Sequence, residues 1–264
     1  MEQLRFLMVG AHPDDMDLLC GGLALNMRKK GHAVRFISMT DGSAGHHIME
    51  REALAKRRGE EAAAVAKLFD IEYKVMPVPD GTLEPTMEMR ELLTREIRSF
   101  APHVIISHRT VDYHPDHRAC GQLVMDCSYM VRVPLFCPDA PCPSHTPVIF
   151  SAWDRFQKPV PFSPDVAVPI DSVVETKIEG CLRHVSQFYE WLAYVGNWEN
   201  INNAPTFEEK TALLREYFHE RFSGNVRLYP EIVPAGVHYM ETFEWNEYGA
   251  PLTEGLRRVM SDPV

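Results

Sequence analysis

Short apolar runs alternate with helical patterns over the first half of the chain, and this alternation limits the possible folds more than any other feature of the sequence. The strand-like runs cover residues 4–9, 33–39, 71–78 and 104–107. Amphipathic helical patterns cover residues 18–28, 49–68, 86–100 and 116–131. Strands that alternate with helices of this length form a parallel sheet with right-handed crossovers. We therefore predict a Rossmann-like α/β fold, with an open, mostly parallel sheet and helices on both faces.

The pattern changes after residue 131. Nine prolines fall within residues 134–169, enough to interrupt regular structure repeatedly. Short strands are predicted at residues 148–153 and 166–170, then helices at 173–195 and 206–222 and a last strand at 238–245. No linker separates two domains. We predict a single domain over residues 1–264 with an elaborated C-terminal third, in which residues 134–169 are an insertion or lid near the site.

Composition excludes several classes of protein. The chain has 27 basic and 37 acidic residues, a net charge of −10, which disfavours binding to nucleic acid or to an anionic membrane. It has no apolar stretch near 18 residues, so no membrane span is predicted, and its first ten residues do not resemble a signal peptide. The six cysteines lack CxxC spacing, which favours reduced thiols in a cytoplasmic protein.

Histidine and aspartate side chains follow three of the predicted strands at the point where each strand ends. His12, Asp14 and Asp15 follow the first strand, and Asp41 follows the second. The fourth strand is followed by Asp112, His114, Asp116 and His117. Ligands of an open parallel sheet bind beyond the carboxyl ends of its strands. The sequence therefore predicts a polar site at this edge.

A catalytic zinc site uses three protein ligands, commonly histidine nitrogens and a carboxylate oxygen, and leaves a position for water. His12, Asp15 and His117 would supply such a set, and the charge of a metal would offset the repulsion between neighbouring carboxylates. Asp14, adjacent to a ligand, could take a proton from the bound water. His114 could donate a hydrogen bond or proton to a developing oxyanion, and Asp116 could orient a histidine.

Each motif alone also has an ordinary structural explanation. Asp14 and Asp15 could cap a helix N-terminus, and the Pro and Asp of the His-Pro-Asp-His segment are common turn residues. The two motifs together, at strand ends of one predicted sheet, favour the metal site. Cys137 and Cys142 could hold a second metal, although a loop with two thiols is the simpler explanation. The aromatic residues between Trp153 and Trp198 could stack on a sugar or simply pack in the core.

These motifs resemble the PIG-L/LmbE-like family of zinc-dependent de-N-acetylases, which is related to N-acetylglucosaminyl-phosphatidylinositol de-N-acetylase. The similar segments are AHPDDMDLLCGG at 11–22, Thr40-Asp41-Gly42, Arg57 with Glu60, HPDH at 114–117, Lys177 with His184-Val185-Ser186-Gln187, and Tyr239-Met240-Glu241-Thr242-Phe243. The resemblance covers most of the chain. Asp17 departs from it, because a Glu is more usual there, and residues 134–169 match no family pattern.

The resemblance implies a Rossmann-like hydrolase that removes an N-acetyl or other N-acyl group, usually from a glucosamine unit, with Zn²⁺ or another divalent metal such as Fe²⁺. It implies that His12, Asp15 and His117 bind the metal, and that Asp14 is the general base with His114 opposite it at the oxyanion. Arg57 matches a position that contacts substrate or the oxyanion side, and Asp116 one that hydrogen-bonds within the site. We assign Asp41 and Asp112 to substrate binding as well.

Other functions remain open at this point. A relative could cleave a non-sugar amide, because residues 134–169 could shape a different pocket. A non-catalytic sugar-binding descendant would be expected to lose Asp14 or a metal ligand, and this sequence keeps them. A nucleotide-binding α/β protein is disfavoured because no GxGxxG follows the first strand. The expected partner is a small amino sugar or acylated amine, and assembly into a homo-oligomer stays open.

Overall fold

The structure, a computed structural model, describes residues 3–263. Within these residues seven strands form one sheet in the order β3-β2-β1-β4-β5-β7-β6. Strands β1 to β5 are parallel, and β7 runs antiparallel to both of its neighbours. The strands are β1 (Arg5–Gly10), β2 (Ala33–Ser38), β3 (Glu72–Val75), β4 (Val104–Ser107), β5 (Val148–Ala152), β6 (Val166–Pro169) and β7 (Met240–Asn246). The predicted open, mostly parallel sheet is confirmed.

Helices connect the parallel strands and cover the C-terminal third. They are α1 (Asp15–Lys29), α2 (Arg51–Phe69), α3 (Met87–Phe100), α4 (Pro115–Met130), α5 (Val174–Arg183), α6 (Leu192–Val195), α7 (Glu199–Asn202), α8 (Phe207–Phe222), α9 (Gly224–Leu228) and α10 (Glu254–Ser261). A π-helix, Ser186–Trp191, precedes α6. None of the helices within residues 3–263 combines the length and the apolar character needed to cross a bilayer.

Two apolar layers hold the sheet between the helices. Successive residues of β1 point to opposite faces. Phe6 and Met8 pack into one layer, with side chains of α1 and α10. Leu7 and Val9 pack into the other, with side chains of α3 and α4. Because β1 is buried on both faces, its sequence is a continuous apolar run, as expected of a central parallel strand. The rigid strand fixes where the residues after Gly10 emerge.

The predicted continuous helix over residues 173–195 is wrong. The chain leaves the helical conformation at His184, where ψ is 65°, and resumes as the π-helix. The reason lies in α2. Glu61 accepts hydrogen bonds from the backbone N–H of Ser186 at 2.8 Å and from its hydroxyl at 2.6 Å. That N–H would otherwise bond within a regular helix, so a carboxylate distant in sequence sets the break.

The chain has six free cysteines, and five of them are buried. Burial raises the pKa of the thiols of Cys20, Cys120 and Cys181, which reduces their reactivity. Cys142 is the partly exposed one. Neither Cys137 nor Cys142 belongs to a group of residues that could hold a metal within the described part of the chain.

We expect a thiol reagent to modify Cys142 alone in the native protein. The other cysteines should react only after unfolding, because burial blocks access and keeps their thiols protonated. Thiol titration with peptide mass mapping checks this. Rapid native modification of Cys20 or Cys120 would contradict the packing described above.

Candidate active site

A cavity of about 580 Å³ opens where β1 and β4 end. Its walls include aromatic side chains from the second half of the chain, among them Trp153, Trp191 and Trp198. Six of the predicted site residues line this cavity: His12, Asp14, Asp15, Asp112, His114 and His117. Two loops distant in sequence therefore meet at the edge of the sheet where an open α/β fold binds ligands.

The three predicted metal ligands lie together. His12 Nδ1 and His117 Nε2 are 3.3 Å apart. Asp15 places one carboxylate oxygen 3.4 Å from His117 Nε2 and the other 3.5 Å from His12 Nδ1. Donor atoms of a tetrahedral zinc site, with bonds of about 2.0–2.1 Å, are about 3.3 Å apart. The two histidine nitrogens have this spacing, whereas the two Asp15 distances belong to different carboxylate oxygens. The groups of side chains here that could hold a metal ion are His12 with His114 and His117, Asp15 with His108 and His117, and His12 with Asp80 and Asp116.

Carboxylates contact the second ring nitrogen of both His12 and His117. His12 Nε2 lies 3.2 Å from Asp80 Oδ1 and 3.3 Å from Asp116 Oδ2. His117 Nδ1 lies 3.2 Å from Asp112 Oδ1. A carboxylate that accepts one ring N–H fixes the tautomer and leaves the lone pair of the other nitrogen for a metal. These contacts orient both imidazoles toward the shared position.

The same carboxylates keep the histidines basic. Burial lowers the pKa of His12 and His117, but the neighbouring aspartates outweigh it and raise both. The pKa of His12 is well above its ordinary value, and that of His117 is about 9. A cation bound here would take the place of these protons.

Asp15 is anchored through one oxygen. Its Oδ2 accepts hydrogen bonds from the backbone N–H of Ala11 at 2.9 Å and of His12 at 2.7 Å. The same oxygen lies 3.1 Å from His108 Nε2. Burial would raise the pKa of Asp15, but His117 and His108 hold it well below its ordinary range. Two backbone N–H groups and the His108 ring thus surround Oδ2, and Oδ1 lies 3.4 Å from His117 Nε2.

Asp14 is buried and points to a different partner. Its Oδ1 lies 3.0 Å from Nη2 of Arg58, which also donates to the Pro13 carbonyl at 2.7 Å. Burial raises the pKa of Asp14 despite Arg58, and the neighbouring Asp15 raises it further. Asp14 belongs to none of the potential metal-holding groups among the described residues. It is therefore available as a carboxylate beside the ligand position.

His114 caps helix α4 with its side chain. Its Nδ1 accepts the backbone N–H of Asp116 at 3.2 Å. Burial and the nearby His12 lower the pKa of His114, so the ring is neutral near pH 7. A neutral ring that accepts at Nδ1 carries its proton at Nε2. His114 therefore has an N–H donor available in the cavity it lines.

The remaining predicted site residues lie elsewhere. Asp116 is fully buried and accepts the backbone N–H groups of Gly81 and Leu83, at 2.7 and 3.2 Å, while contacting His12. Asp41 accepts the N–H groups of Ser43 and Asp80 and is not among the cavity-lining residues, and neither is Arg57. Arg57 instead forms a bidentate ion pair with Glu190, at 2.7 and 2.8 Å.

Sequence reasoning missed three residues of the site: Arg58, Asp80 and His108. Arg58 adjoins the predicted Arg57 on α2, and only the burial of one helix face distinguishes them. Asp80 follows the third strand, so it obeyed the same rule that identified the other aspartates. His108 comes directly after β4, so the rule that polar residues beyond a strand form the site would have identified it too. The three could have been found by reading every polar residue just beyond a strand.

Asp17, which stands where the family more often has a Glu, is a buried residue next to the candidate site. Asp17 is fully buried and accepts the Tyr73 hydroxyl at 2.9 Å. Its other oxygen lies 3.4 Å from Nε2 of His184, also fully buried. His184 is therefore a buried partner of Asp17 next to the helix break, behind the loop that carries Asp14 and Asp15.

The geometry defines a class of protein: an open α/β sheet with clustered histidine and aspartate side chains, beyond its central strands, that could hold a metal ion. Comparison with known families refines this. Residues 7–128 match the profile of the PIG-L family, described as GlcNAc-PI de-N-acetylase. The predicted resemblance to this family is confirmed over this segment.

Curated relatives extend the similarity beyond that segment. Diacetylchitobiose deacetylase of Thermococcus kodakarensis is 25% identical over 201 residues, which covers 70% of this chain and 71% of the relative. Probable N-acetyl-alpha-D-glucosaminyl L-malate deacetylase 2 of Bacillus subtilis is 27% identical over 190 residues, 69% of this chain and 82% of the relative.

One solved structure with a similar fold is named for a different activity. GalB of Pseudomonas putida KT2440, a 4-carboxy-2-hydroxymuconate hydratase, superposes with a TM-score of 0.73 over 96% of this chain and 99% of its own. Its identity is 17%, so the likeness concerns the fold alone. The chemistry must therefore be argued from the site.

We expect His117→Ala to lose the bound metal and Asp112→Asn to weaken binding by about 10- to 100-fold, because Asp112 orients the ligand His117. Elemental analysis and titration against a competing chelator measure both. The control is Asp126→Asn, which breaks an ion pair with Arg90 away from the cavity. Unchanged metal content in His117→Ala would contradict the ligand assignment.

Proposed function

We propose that this protein is a metal-dependent hydrolase that removes the acetyl group from an N-acetylglucosamine-type sugar or sugar conjugate. The observation that carries the proposal is the cluster of His12, Asp15 and His117, whose ring nitrogens and carboxylate oxygens lie 3.3 to 3.5 Å from one another, next to the buried Asp14. Both curated relatives described above are named deacetylases, and their names specify N-acetylglucosamine-type compounds. The six free thiols support a cytoplasmic location.

His12, Asp15 and His117 would hold the metal, for which we propose Zn²⁺, with Fe²⁺ as an alternative. When bound, such a cation would lower the pKa of a coordinated water to about 7 and polarise a carbonyl oxygen. The protein holds the ligands in place through Asp80, Asp116 and Asp112, so little reorganisation is needed at the moment of reaction.

Asp14 serves as the general base. Its carboxylate takes a proton from the attacking water as the water oxygen bonds to the acetamide carbon. Arg58 fixes the carboxylate through Oδ1, so Oδ2 is the oxygen that receives the proton. Asp14 then returns this proton to the departing nitrogen as the C–N bond breaks. The products are acetate and the free amine.

His114 stabilises the negative charge that develops on the carbonyl oxygen. It does so with the Nε2–H group, which is kept as a donor because Nδ1 is occupied by the Asp116 N–H. Removing one oxyanion donor from an enzyme typically costs about 10²- to 10³-fold in turnover. Asp116 acts through His12 and the helix cap, and is therefore a positioning residue rather than a group that touches substrate.

Amide hydrolysis is favoured over a hydration reaction of the GalB type. The relatives named as deacetylases match two thirds or more of this chain at 25–27% identity. The hydratase matches at 17%. A panel that contains N-acetylated sugars, simple acetamides and unsaturated carboxylic acids separates sugar deacetylation from a non-sugar amidase and from a hydratase.

We expect Asp14→Asn to lower acetate release by about two orders of magnitude or more while metal content is retained, because the variant loses the base and keeps the ligands. Acetate is quantified enzymatically with an N-acetylglucosaminide substrate. The matched control, Asp139→Asn, removes an exposed carboxylate that pairs with Arg95 and should leave turnover unchanged. Nearly full activity in Asp14→Asn would refute its assignment as the base.

A further inference from the structure

Trp191 lines the cavity, but packing in the protein core does not account for it. Trp198 packs on Tyr217, with ring centroids 4.7 Å apart, and both lie against the apolar cluster that α5 and α8 build. Tyr189 is buried in that cluster and stacks on Phe207 at 4.6 Å. Trp191 is half-buried and belongs to none of the apolar clusters within residues 3–263. Its indole is therefore a wall of the cavity rather than a part of the core.

Two more rings extend the aromatic surface of Trp191 toward solvent. His47 and Tyr194 stack on each other, with centroids 3.8 Å apart and an interplanar angle of 6°. Their centroids lie 6.4 and 6.2 Å from that of Trp191, and the planes differ from the indole by 24° and 30°. Both rings are exposed. We call Trp191, His47 and Tyr194 the aromatic rim.

A network of charged and polar contacts fixes the turn that carries Trp191. The preceding residue, Glu190, pairs with Arg57 at 2.7 and 2.8 Å and lies 2.9 Å from His46 Nε2. His46 Nδ1 accepts two backbone N–H groups of its own loop, each at 3.1 Å, so Nε2 carries the proton that is donated to Glu190. A bidentate pair within a network restricts geometry more than an isolated surface ion pair does. Glu190 thus joins α2, the π-helix and the loop that carries His47.

The same loop connects the aromatic rim to the proposed metal ligands. Asp80 lies 3.2 Å from His12 Nε2 through Oδ1 and accepts the backbone N–H of Ala44 at 3.1 Å through Oδ2. A methyl group added at the next residue, Gly45, would lie 3.6 Å from Trp191 Cδ1. The loop backbone therefore passes beside the indole. A short series of contacts holds the rim in a fixed position relative to His12.

Depth decides which part of a substrate can reach the aromatic rim. His12 is only 8% exposed, whereas Tyr194 is 52% exposed. An acetamide that reaches the buried ligands leaves the rest of its molecule on the side of the rim. Flat aromatic surfaces favour a ring that can stack in parallel, and such contacts contribute beyond the burial of apolar area. Glu190 is already paired with Arg57 and His46, so the rim itself presents apolar ring faces.

We propose that Trp191 is a specificity-determining residue that stacks on a ring of the departing part of the substrate, and that Glu190 is a positioning residue for it. This inference rests on the proposed function, which puts the acetamide at the metal ligands. The ring that stacks has a flat, uncharged apolar face. It leaves with the amine product and takes no part in the hydrolysis step.

Matched glycosides test the role of Trp191. Methyl, cyclohexyl and phenyl N-acetyl-β-glucosaminides differ only in the group at the anomeric oxygen. We expect kcat/KM for one or both ring glycosides to exceed that of the methyl glycoside by about three- to tenfold, mostly through KM. The larger gain shows whether a saturated or an aromatic ring is preferred. Trp191→Leu should bring the three substrates close to equality, whereas Trp191→Phe, which keeps a ring, should retain most of the gain.

Glu190 is tested by the same ratio of ring to methyl glycoside. Glu190→Ala should reduce the ratio as Trp191→Leu does, and Glu190→Gln, which can still accept from Arg57 and His46, should retain more of it. The control is Tyr248→Leu, which removes an exposed aromatic ring away from the cavity and should leave all three rates unchanged. Equal kcat/KM for the three glycosides, or an undiminished ring preference in Trp191→Leu, would overturn the stacking role. An undiminished preference in Glu190→Ala would overturn the positioning role.

A binding measurement separates this proposal from the proposed function. Phenyl and methyl β-glucosaminide, the amine products, are titrated calorimetrically into the metal-loaded protein and into Trp191→Leu. If no N-acetylated substrate releases acetate, but the variant loses the preference for the phenyl glycoside that the parent protein shows, deacetylation fails and the stacking role stands. If acetate is released and the variant keeps the parent's ratio of affinities, deacetylation stands and the stacking role fails.

Discussion

The anchoring of the Asp15 carboxylate is the interaction on which the candidate site depends. Two backbone N–H groups of the loop after β1 and the His108 ring converge on Oδ2, at 2.7 to 3.1 Å. A buried carboxylate is costly unless it is paired and hydrogen-bonded. Here the donors keep it ionised, and its second oxygen remains beside His117. The loop conformation that provides these donors is therefore the conformation that places the Asp15 carboxylate beside His117.

The parallel sheet supplies the second requirement, which is that two loops distant in sequence arrive together. Strands β1 and β4 are neighbours in register, with Val9 opposite Ser107. Their following loops are thereby brought side by side, and helix α4 starts at Pro115, so that His117 lies in its first turn. Asp116 ties this turn to the loop after β3 through Gly81 and Leu83. The buried apolar layers on both sides of β1 keep this arrangement rigid.

The parallel strands and the polar residues that follow them could be predicted because short segments of sequence determine both. Each parallel strand is a short apolar run, and the ligands follow directly after the strands. What could not be predicted depends on distant contacts. The break at His184 follows from Glu61 of α2 accepting Ser186. The choice of Arg58 over Arg57 at the cavity follows from which face of α2 is buried, and a pattern of two adjacent arginines does not distinguish them.

The central claim is that His12, Asp15 and His117 hold a divalent cation at one position. Anomalous diffraction from crystals grown with Zn²⁺, measured on both sides of its absorption edge, tests it most directly. The account predicts one strong peak about 2.0–2.2 Å from His12 Nδ1, an Asp15 carboxylate oxygen and His117 Nε2. A peak bound to other residues, or no peak at this position in zinc-loaded crystals, would contradict it.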